Sequence, residues 1–142
     1  VAMGLEVVKS RSAREALAGA DIVVSSVTLS ADVNPFLNAH WLDAGAFATI
    51  TDLAMSWEPG GMSAFDRVFI DDMEQELKSD QPLMSAELID GDLSSLVQKT
   101  TSGRTAEGER TAFVFRGLAL GDLALAALAY DRATGASGSD GR

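Results

Sequence analysis

The sequence contains no cysteine and only one histidine. Without cysteine the chain can form no disulfide framework, no thiolate nucleophile and no zinc–cysteine site. The single histidine, His40, excludes a histidine-rich metal centre, and we expect no metal site. No stretch reaches the roughly 18 apolar residues of a membrane span, and no signal peptide is recognisable. The cytoplasm is therefore the expected location.

Positive charge is also scarce, and one glycine motif is absent. Lys and Arg number 11 against 21 Asp and Glu, which gives a net charge of -10. An acidic chain repels phosphate backbones, so we expect no nucleic acid as a partner, and the lack of a membrane span gives the same expectation for a membrane. The motif G-x-G-x-x-G does not occur in the sequence. The adjacent glycines Gly60-Gly61 follow Pro59 and do not link a strand to a helix, as that motif must. It therefore lacks the turn that grips dinucleotide phosphates.

The chain does contain enough apolar residues for a core, and its pattern alternates between strands and helices. Hydrophobic residues make up 46% of it, which is enough to build a core. Apolar, β-branched runs at residues 21–26, 47–51 and 67–71 predict short strands, the first of them buried on both faces. Their spacing of about 20 to 26 residues, with helical pieces between, predicts an α/β fold on a parallel sheet. Residues 5–8 also have the pattern of a strand.

Helix signals complete the chain. Ser12 and Glu15 have the form of a capping box, and Gly19 can end the helix that they begin. Residues 84–98 predict helical pieces interrupted at Gly91, and residues 111–116 predict a further strand. Residues 117–133 are apolar nearly all round, which predicts a long helix buried by partners on more than one side. The Gly/Ser-rich residues 135–142 predict a disordered tail.

Three positions beside predicted strand ends could carry chemistry, because ligands of doubly wound sheets bind at the carboxyl ends of strands. The small residues 25–28 would let a cofactor approach the backbone. Asp52 could exchange a proton with a substrate or bind an ammonium group. Arg116, beside Gly117 at the start of the long helix, could bind a carboxylate or a phosphate. The alternatives are an ordinary strand exit, a loop cap and a surface arginine.

Four carboxylates cluster at the predicted start of another helix: Asp71, Asp72, Glu74 and Glu76. Acidic side chains are favourable near the positive end of a helix, and this is the simplest interpretation of the cluster. A magnesium site is the less favoured alternative.

Four motifs together resemble one known family. Residues 18–28 (AGADIVVSSVT) are similar to the GADIVV-(T/S)-x-T stretch of ornithine cyclodeaminases and mu-crystallins. Residues 41–47 (WLDAGAF) resemble their W-L-x-x-G-A-H/F, and residues 68–75 (VFIDDMEQ) resemble their V-x-V-D-D-x-E-Q. Residues 103–105 (GRT) and 113–124 (FVFRGLALGDLA) resemble their closing G-R-T and F-x-S-x-G-L-A-x-x-D-L-A. The motifs occur in the family's order, which makes the combination specific.

The resemblance implies part of a Rossmann-type doubly wound sheet. Residues 1–98 would form the C-terminal part of an NAD(P)-binding domain, and residues 99–134 would return towards a substrate and dimerisation domain that this chain lacks. The implied cofactor is NAD or NADP, the implied substrate is a small α-amino or α-imino acid, and the implied full-length protein is a homodimer.

The resemblance also assigns site residues by position. Asp52 matches the family's acid/base aspartate, which also contacts substrate. Arg116 falls near the substrate where the family has a small apolar residue, which favours a substrate with a second acidic group. The positions implied to line the cofactor are Ser26, Thr28, Thr49, Ile50, Thr51 and Phe115.

The family's glycine motif and its substrate-binding arginine and lysine belong to an N-terminal half that this sequence does not include. We therefore expect the chain alone to be inactive. The parent activity could be that of a cyclodeaminase, an amino-acid dehydrogenase or a ketimine reductase. Two alternatives are a non-catalytic binding protein of the mu-crystallin type and an inactive truncated fragment.

Overall fold

The computed structural model describes Gly4 and residues 6–30 and 32–135 of the chain, and its centre is a five-stranded parallel sheet. The strands are β1 (Ile22–Ser25), β2 (Phe47–Ile50), β3 (Arg67–Ile70), β4 (Gly91–Asp92) and β5 (Thr111–Val114). Their spatial order is β1-β2-β5-β3-β4, and every neighbouring pair is parallel. All the carboxyl ends therefore meet at one edge. The predicted α/β class and parallel sheet are confirmed.

Helices and single 3₁₀ turns connect the strands. The helices are α1 (Ala13–Leu17), α2 (Met73–Leu77), α3 (Leu93–Val97) and α4 (Ala119–Thr134), and the 3₁₀ turns are Ala39–Trp41, Pro59–Ala64 and Ala86–Leu88. Ser12 caps α1 by accepting a hydrogen bond from the Glu15 backbone N–H. The Glu15 carboxylate reaches back to the N–H of Arg11 and not to that of Ser12, so the predicted capping box is only half formed.

Three predicted segments differ from the structure or lie outside it. Residues 6–10 contain no strand, and Leu5 and the predicted tail at residues 136–142 lie outside the described residues. The middle segment contains β4 at the position where the sequence predicts a break between helical pieces. Two residues are too few to give an alternating pattern, so sequence periodicity cannot reveal such a strand.

Asp92 marks the passage from β4 to α3. Its carboxylate accepts a hydrogen bond from the Ser95 backbone N–H, while the Ser95 hydroxyl accepts one from the Asp92 backbone N–H. The hydrogen bond from the Ser95 backbone lowers the pKa of Asp92 below its ordinary value, and the bond from the Met73 N–H acts in the same direction. The charged carboxylate therefore stabilises this turn near neutral pH, and the contribution is lost as pH falls through the lowered pKa.

The core lies on the central strands. Ala48, Ile50, Ile70 and Val114 are fully buried there. Strand β1 is different, because its side chains are alternately exposed and buried and its outward-facing residues, Ile22 and Val24, are 69% and 65% exposed. The prediction that residues 21–26 are buried on both faces is therefore wrong for this chain. No described element covers the outer face of β1.

Helix α4 also lacks the cover that its sequence predicts. It is apolar nearly all round, yet none of its residues is buried, and Leu120, Leu123 and Leu125 are about two-thirds exposed. The prediction that partners bury it on several sides is not met within the described residues. Among the residues that the structure describes, no helix is long and apolar enough to cross a membrane.

A glycine is required at position 45, where the chain turns into β2. Gly45 has φ +86°, and a Cβ there would lie 2.8 Å from the carbonyl oxygen of Glu107. We expect Gly45→Ala to lower the free energy of unfolding by about 2 to 4 kcal/mol, through left-handed strain and backbone overlap together. Gly108 accepts the Gly45 N–H but has open space around it. Gly108→Ala is therefore the control, and equal losses in urea unfolding would contradict this account.

Candidate functional site

The carboxyl ends of β1, β2 and β5 form one continuous edge. The register pairs Ser25 with Ile50 and Ile50 with Val114, so the three strands end side by side. The residues that follow each strand therefore leave the sheet at the same edge. In parallel α/β sheets this is the edge at which ligands bind.

Asp52 lies at this edge, two residues after β2. The side chain is 1% exposed. Oδ2 accepts a hydrogen bond from the Ser56 hydroxyl at 2.7 Å and another from the Val27 backbone N–H at 3.3 Å. Oδ1 accepts one bond, from the Ser25 hydroxyl at 3.3 Å. The carboxylate thus joins the exit of β1 to the exit of β2.

Ser25 extends these bonds into a buried network. Its hydroxyl accepts a hydrogen bond from Trp57 Nε1 at 2.9 Å while it donates to Asp52. Its carbonyl oxygen accepts from both the backbone N–H and the hydroxyl of Thr51. Ser25, Asp52, Ser56 and Trp57 are all buried. We call these four residues the Asp52 network.

The backbone after Asp52 is strained. Leu53 has φ +56° and Ala54 has φ +58°, which lie in the left-handed region that residues other than glycine rarely adopt. Each such residue costs of the order of 1 to 3 kcal/mol and persists only where the surroundings impose it. Here the turn brings Ser56 back onto Asp52, and it is closed by the bond from the Met55 N–H to the Asp52 carbonyl. Such strain is concentrated at functional sites.

The structure separates the predicted cofactor-lining residues into three groups. Ser26, Thr28 and Thr51 are exposed at the edge, and Thr49 and Phe115 are half-buried. Ile50 is fully buried in the core, and its carbonyl accepts the Phe115 N–H at 2.8 Å. The Ile50 side chain points into the core and is therefore unavailable to a ligand. Its neighbours Thr49 and Thr51 point to the opposite face, because side chains alternate along a strand.

A cleft of about 360 Å³ lies beside Ser26 along the open edge of β1. Residues of α1 and β1 line it together with Val27, Phe36 and Leu37. The cleft is mostly apolar, as small-molecule sites usually are, and it borders the Asp52 network through Ser25.

The Arg116 side chain forms hydrogen bonds within the protein. Its Nε and Nη2 donate to one oxygen of Glu76 at 3.0 and 2.7 Å, and Nη2 also donates to the Gln81 carbonyl. The guanidinium borders a small cleft lined by Leu53 and Met55, but Glu76 already neutralises its charge. The predicted contact between Arg116 and a substrate stays a prediction.

The sequence singles out Asp52, and residues 25–28 as a strand exit, but it does not predict the contacts between them or those with Ser56 and Trp57. Ser25, Ser56 and Trp57 come from two strand exits and a turn, and no spacing rule connects them. The only local signal was a serine four residues after an aspartate, which is common. The tertiary pairing of β1 with β2 is what brings Ser25 and Trp57 to the carboxylate.

Several solved structures share the fold of this chain. A probable ornithine cyclodeaminase from Bordetella pertussis Tohama I has a TM-score of 0.70 and 24% identity over 92% of this chain and 44% of its own. The Thermococcus litoralis Δ1-pyrroline-2-carboxylate reductase, solved with NADH and L-proline, has a TM-score of 0.76 and 21% identity over 98% and 46%. An archaeal alanine dehydrogenase dimer with bound NAD has 0.67 and 19% over 92% and 42%.

At these identities the structural matches show the fold alone, and this chain spans less than half the length of each of those proteins. The comparison with curated proteins gave no match. A family model, that of the ornithine cyclodeaminase/mu-crystallin family, matches residues 1–137. Because this match covers nearly the whole sequence, the chain belongs to the ornithine cyclodeaminase/mu-crystallin family.

Proposed function

We propose that this chain forms the C-terminal part of an NAD(P)-dependent enzyme that acts on a small α-amino or α-imino acid. The observation that carries the proposal is the Asp52 carboxylate, held at the ligand-binding edge of a parallel sheet between two strand exits. Family membership supports the cofactor, as do the fold relatives solved with NADH and with NAD. The relative solved with L-proline supports the substrate class.

The edge residues fit one part of a dinucleotide. Ser26, Thr28 and Thr51 are small, polar and exposed, so a ribose or a nicotinamide amide could approach the backbone closely there. No G-x-G-x-x-G is available to hold the phosphates. We therefore assign to this chain the nicotinamide side of the site, and the bound cofactor would accept or supply the hydride.

Asp52 would exchange the proton that accompanies hydride transfer. A carboxylate beside the reacting carbon can take a proton from an amino or hydroxyl group as the hydride leaves, and can return it in the reverse direction. Oδ1 suits this role better than Oδ2, since among the described residues it accepts one bond, a long one from the Ser25 hydroxyl at 3.3 Å. The other oxygen is anchored by Ser56 and Val27 and would fix the orientation of the group.

One observation favours a second function. Asp52 is almost completely buried and accepts hydrogen bonds from Ser25, Val27 and Ser56, as expected for a carboxylate that only ties two loops together. This would suit a non-catalytic binding protein of the same family. The two functions differ in what they require of the carboxylate: proton transfer in the first, geometry alone in the second.

Titration of NADH into the 142-residue chain tests the cofactor proposal. We expect weak saturable binding, with a Kd of roughly 1 mM, about 4 kcal/mol, because the phosphate-gripping turn is absent. Thr28→Tyr should abolish the binding by filling the edge. Ser102→Tyr, at another exposed position, should leave it unchanged. If NADH does not bind, or binds equally to both variants, these strand ends do not form a cofactor site on this chain.

A further inference from the structure

Two of the four clustered carboxylates are buried, which a simple acidic helix start does not explain. Asp71 and Glu76 are each 4% exposed, whereas Asp72 caps α2 and Glu74 is an exposed partner of Lys78. The burial of a carboxylate is costly unless it is well paired. The two buried carboxylates must therefore have partners that offset the free-energy cost of their burial.

Asp71 binds the backbone where the chain leaves β5. One of its oxygens, Oδ2, accepts hydrogen bonds from the N–H of Arg116 at 3.2 Å and from the N–H of Gly117 at 2.7 Å. Gly117 has φ +122°, a conformation that only glycine adopts freely. The carboxylate thus fixes both amides of the bend that precedes α4.

Glu76 fixes the side chain of the same bend. Its Oε2 accepts from Nε and Nη2 of Arg116, and its Oε1 accepts from the Leu83 N–H. Arg116 in turn donates to the Gln81 carbonyl. The chain after β5 is therefore tied to the end of β3, to α2 and to the loop at residues 81–83. We call Asp71, Glu76 and Arg116 the latch.

Helix α4 has little other support in the described chain. Its sixteen residues are exposed along their whole length, and its apolar side chains meet no core. The direction in which α4 leaves the sheet is consequently set at its base. The base is residues 115–118, and the latch is what holds them.

We propose that Asp71 and Glu76 are positioning residues, which act through Arg116 and Gly117 to fix the direction of α4 and to hold Phe115 at the carboxyl edge of the sheet. On this view Arg116 serves the architecture of the site and does not need to contact a ligand. The benefit for a bound cofactor at Phe115 rests on the proposed function. The positioning itself does not rest on it.

Distance measurement between two spin labels tests the latch directly. The chain has no cysteine, so Ala106→Cys and Ala127→Cys place labels only in the exposed loop before β5 and on the exposed face of α4. Glu76→Gln removes the charge that pairs with Arg116, and Arg116→Lys keeps a cation but removes the two-pronged donor. Glu74→Gln, on the same helix but exposed, is the matched control.

The labelled parent chain and the Glu74→Gln control should each give one narrow distance. Glu76→Gln and Arg116→Lys should lose it and give a broad distribution, while circular dichroism shows that the variants remain folded. A broad distribution in the parent chain, or a narrow one retained in both latch variants, would overturn the proposal. No cofactor is added, so this result stands apart from the outcome of the NADH titration.

Discussion

Trp57→Ala is expected to lower the free energy of unfolding by about 3 to 5 kcal/mol, the range for a large aromatic side chain removed from a core. The Trp57 side chain is 1% exposed and is among the largest that are fully buried. Its ring lies 5.6 Å from that of Phe65 in a tilted arrangement, and its Nε1 donates to Ser25. One substitution therefore removes core volume, an aromatic pair and a member of the Asp52 network.

Urea unfolding followed by circular dichroism measures this loss. Trp57→Phe separates its two parts, because phenylalanine keeps most of the ring but cannot donate to Ser25, and this bond alone is worth about 1 kcal/mol. Trp41→Ala, at a half-buried tryptophan, is the control and should cost less. A loss below about 1 kcal/mol for Trp57→Ala would show that the ring does not anchor the core.

Four of the five strands were predictable, because each of them carries an apolar run of its own, which the two-residue strand β4 does not. Residues 47–51 and 67–71 contain β2 and β3 within one residue at each end. The order in which the strands pair was not predictable from those runs. β5 lies between β2 and β3, and this arrangement depends on tertiary packing that no single segment encodes.

Burial was harder to predict than secondary structure. The sequence of β1 predicts burial on both faces, and that of α4 predicts burial all round, yet one face of β1 and the whole of α4 are exposed here. A hydrophobic pattern reports what a segment would bury when covered, and it does not report whether the cover belongs to the same 142 residues. Exposed apolar side chains grouped on one face, as on β1 and α4, are typical of contact surfaces.

The candidate site was predictable in position but not in detail. Asp52 follows a strand, and strand ends are where ligands bind, so sequence alone could single it out. The partners of Arg116 could not be predicted, because Glu76 is 40 residues away in sequence and lies in a cluster that resembled a helix start. Long-range ion pairs of this kind leave no local pattern.

Asp52→Asn is expected to reduce turnover by about 10²- to 10⁴-fold, in a protein of the relatives' length that carries these residues, if Asp52 transfers the proton. It should also lower the free energy of unfolding by about 1 to 3 kcal/mol, the cost of leaving a buried polar group without a partner. If the amide nitrogen takes the position of Oδ2, it faces the donor N–H of Val27. If it takes the position of Oδ1, it leaves the Ser25 hydroxyl without an acceptor.

Ser56→Ala is the comparison that separates catalysis from structure. It removes the shortest bond to Asp52, at 2.7 Å, and should cost about 1 kcal/mol of stability, yet it leaves the carboxylate in place. Asp43→Asn, at an exposed loop position, controls for the loss of one charge. The measurement that separates the two roles is steady-state turnover of an α-amino acid with NAD, at a temperature well below the unfolding midpoint of each variant. If Asp52→Asn loses far more turnover than Ser56→Ala, the carboxylate transfers the proton. If the two variants lose turnover in proportion to their stability, Asp52 only ties the strand exits together, and the non-catalytic function is favoured.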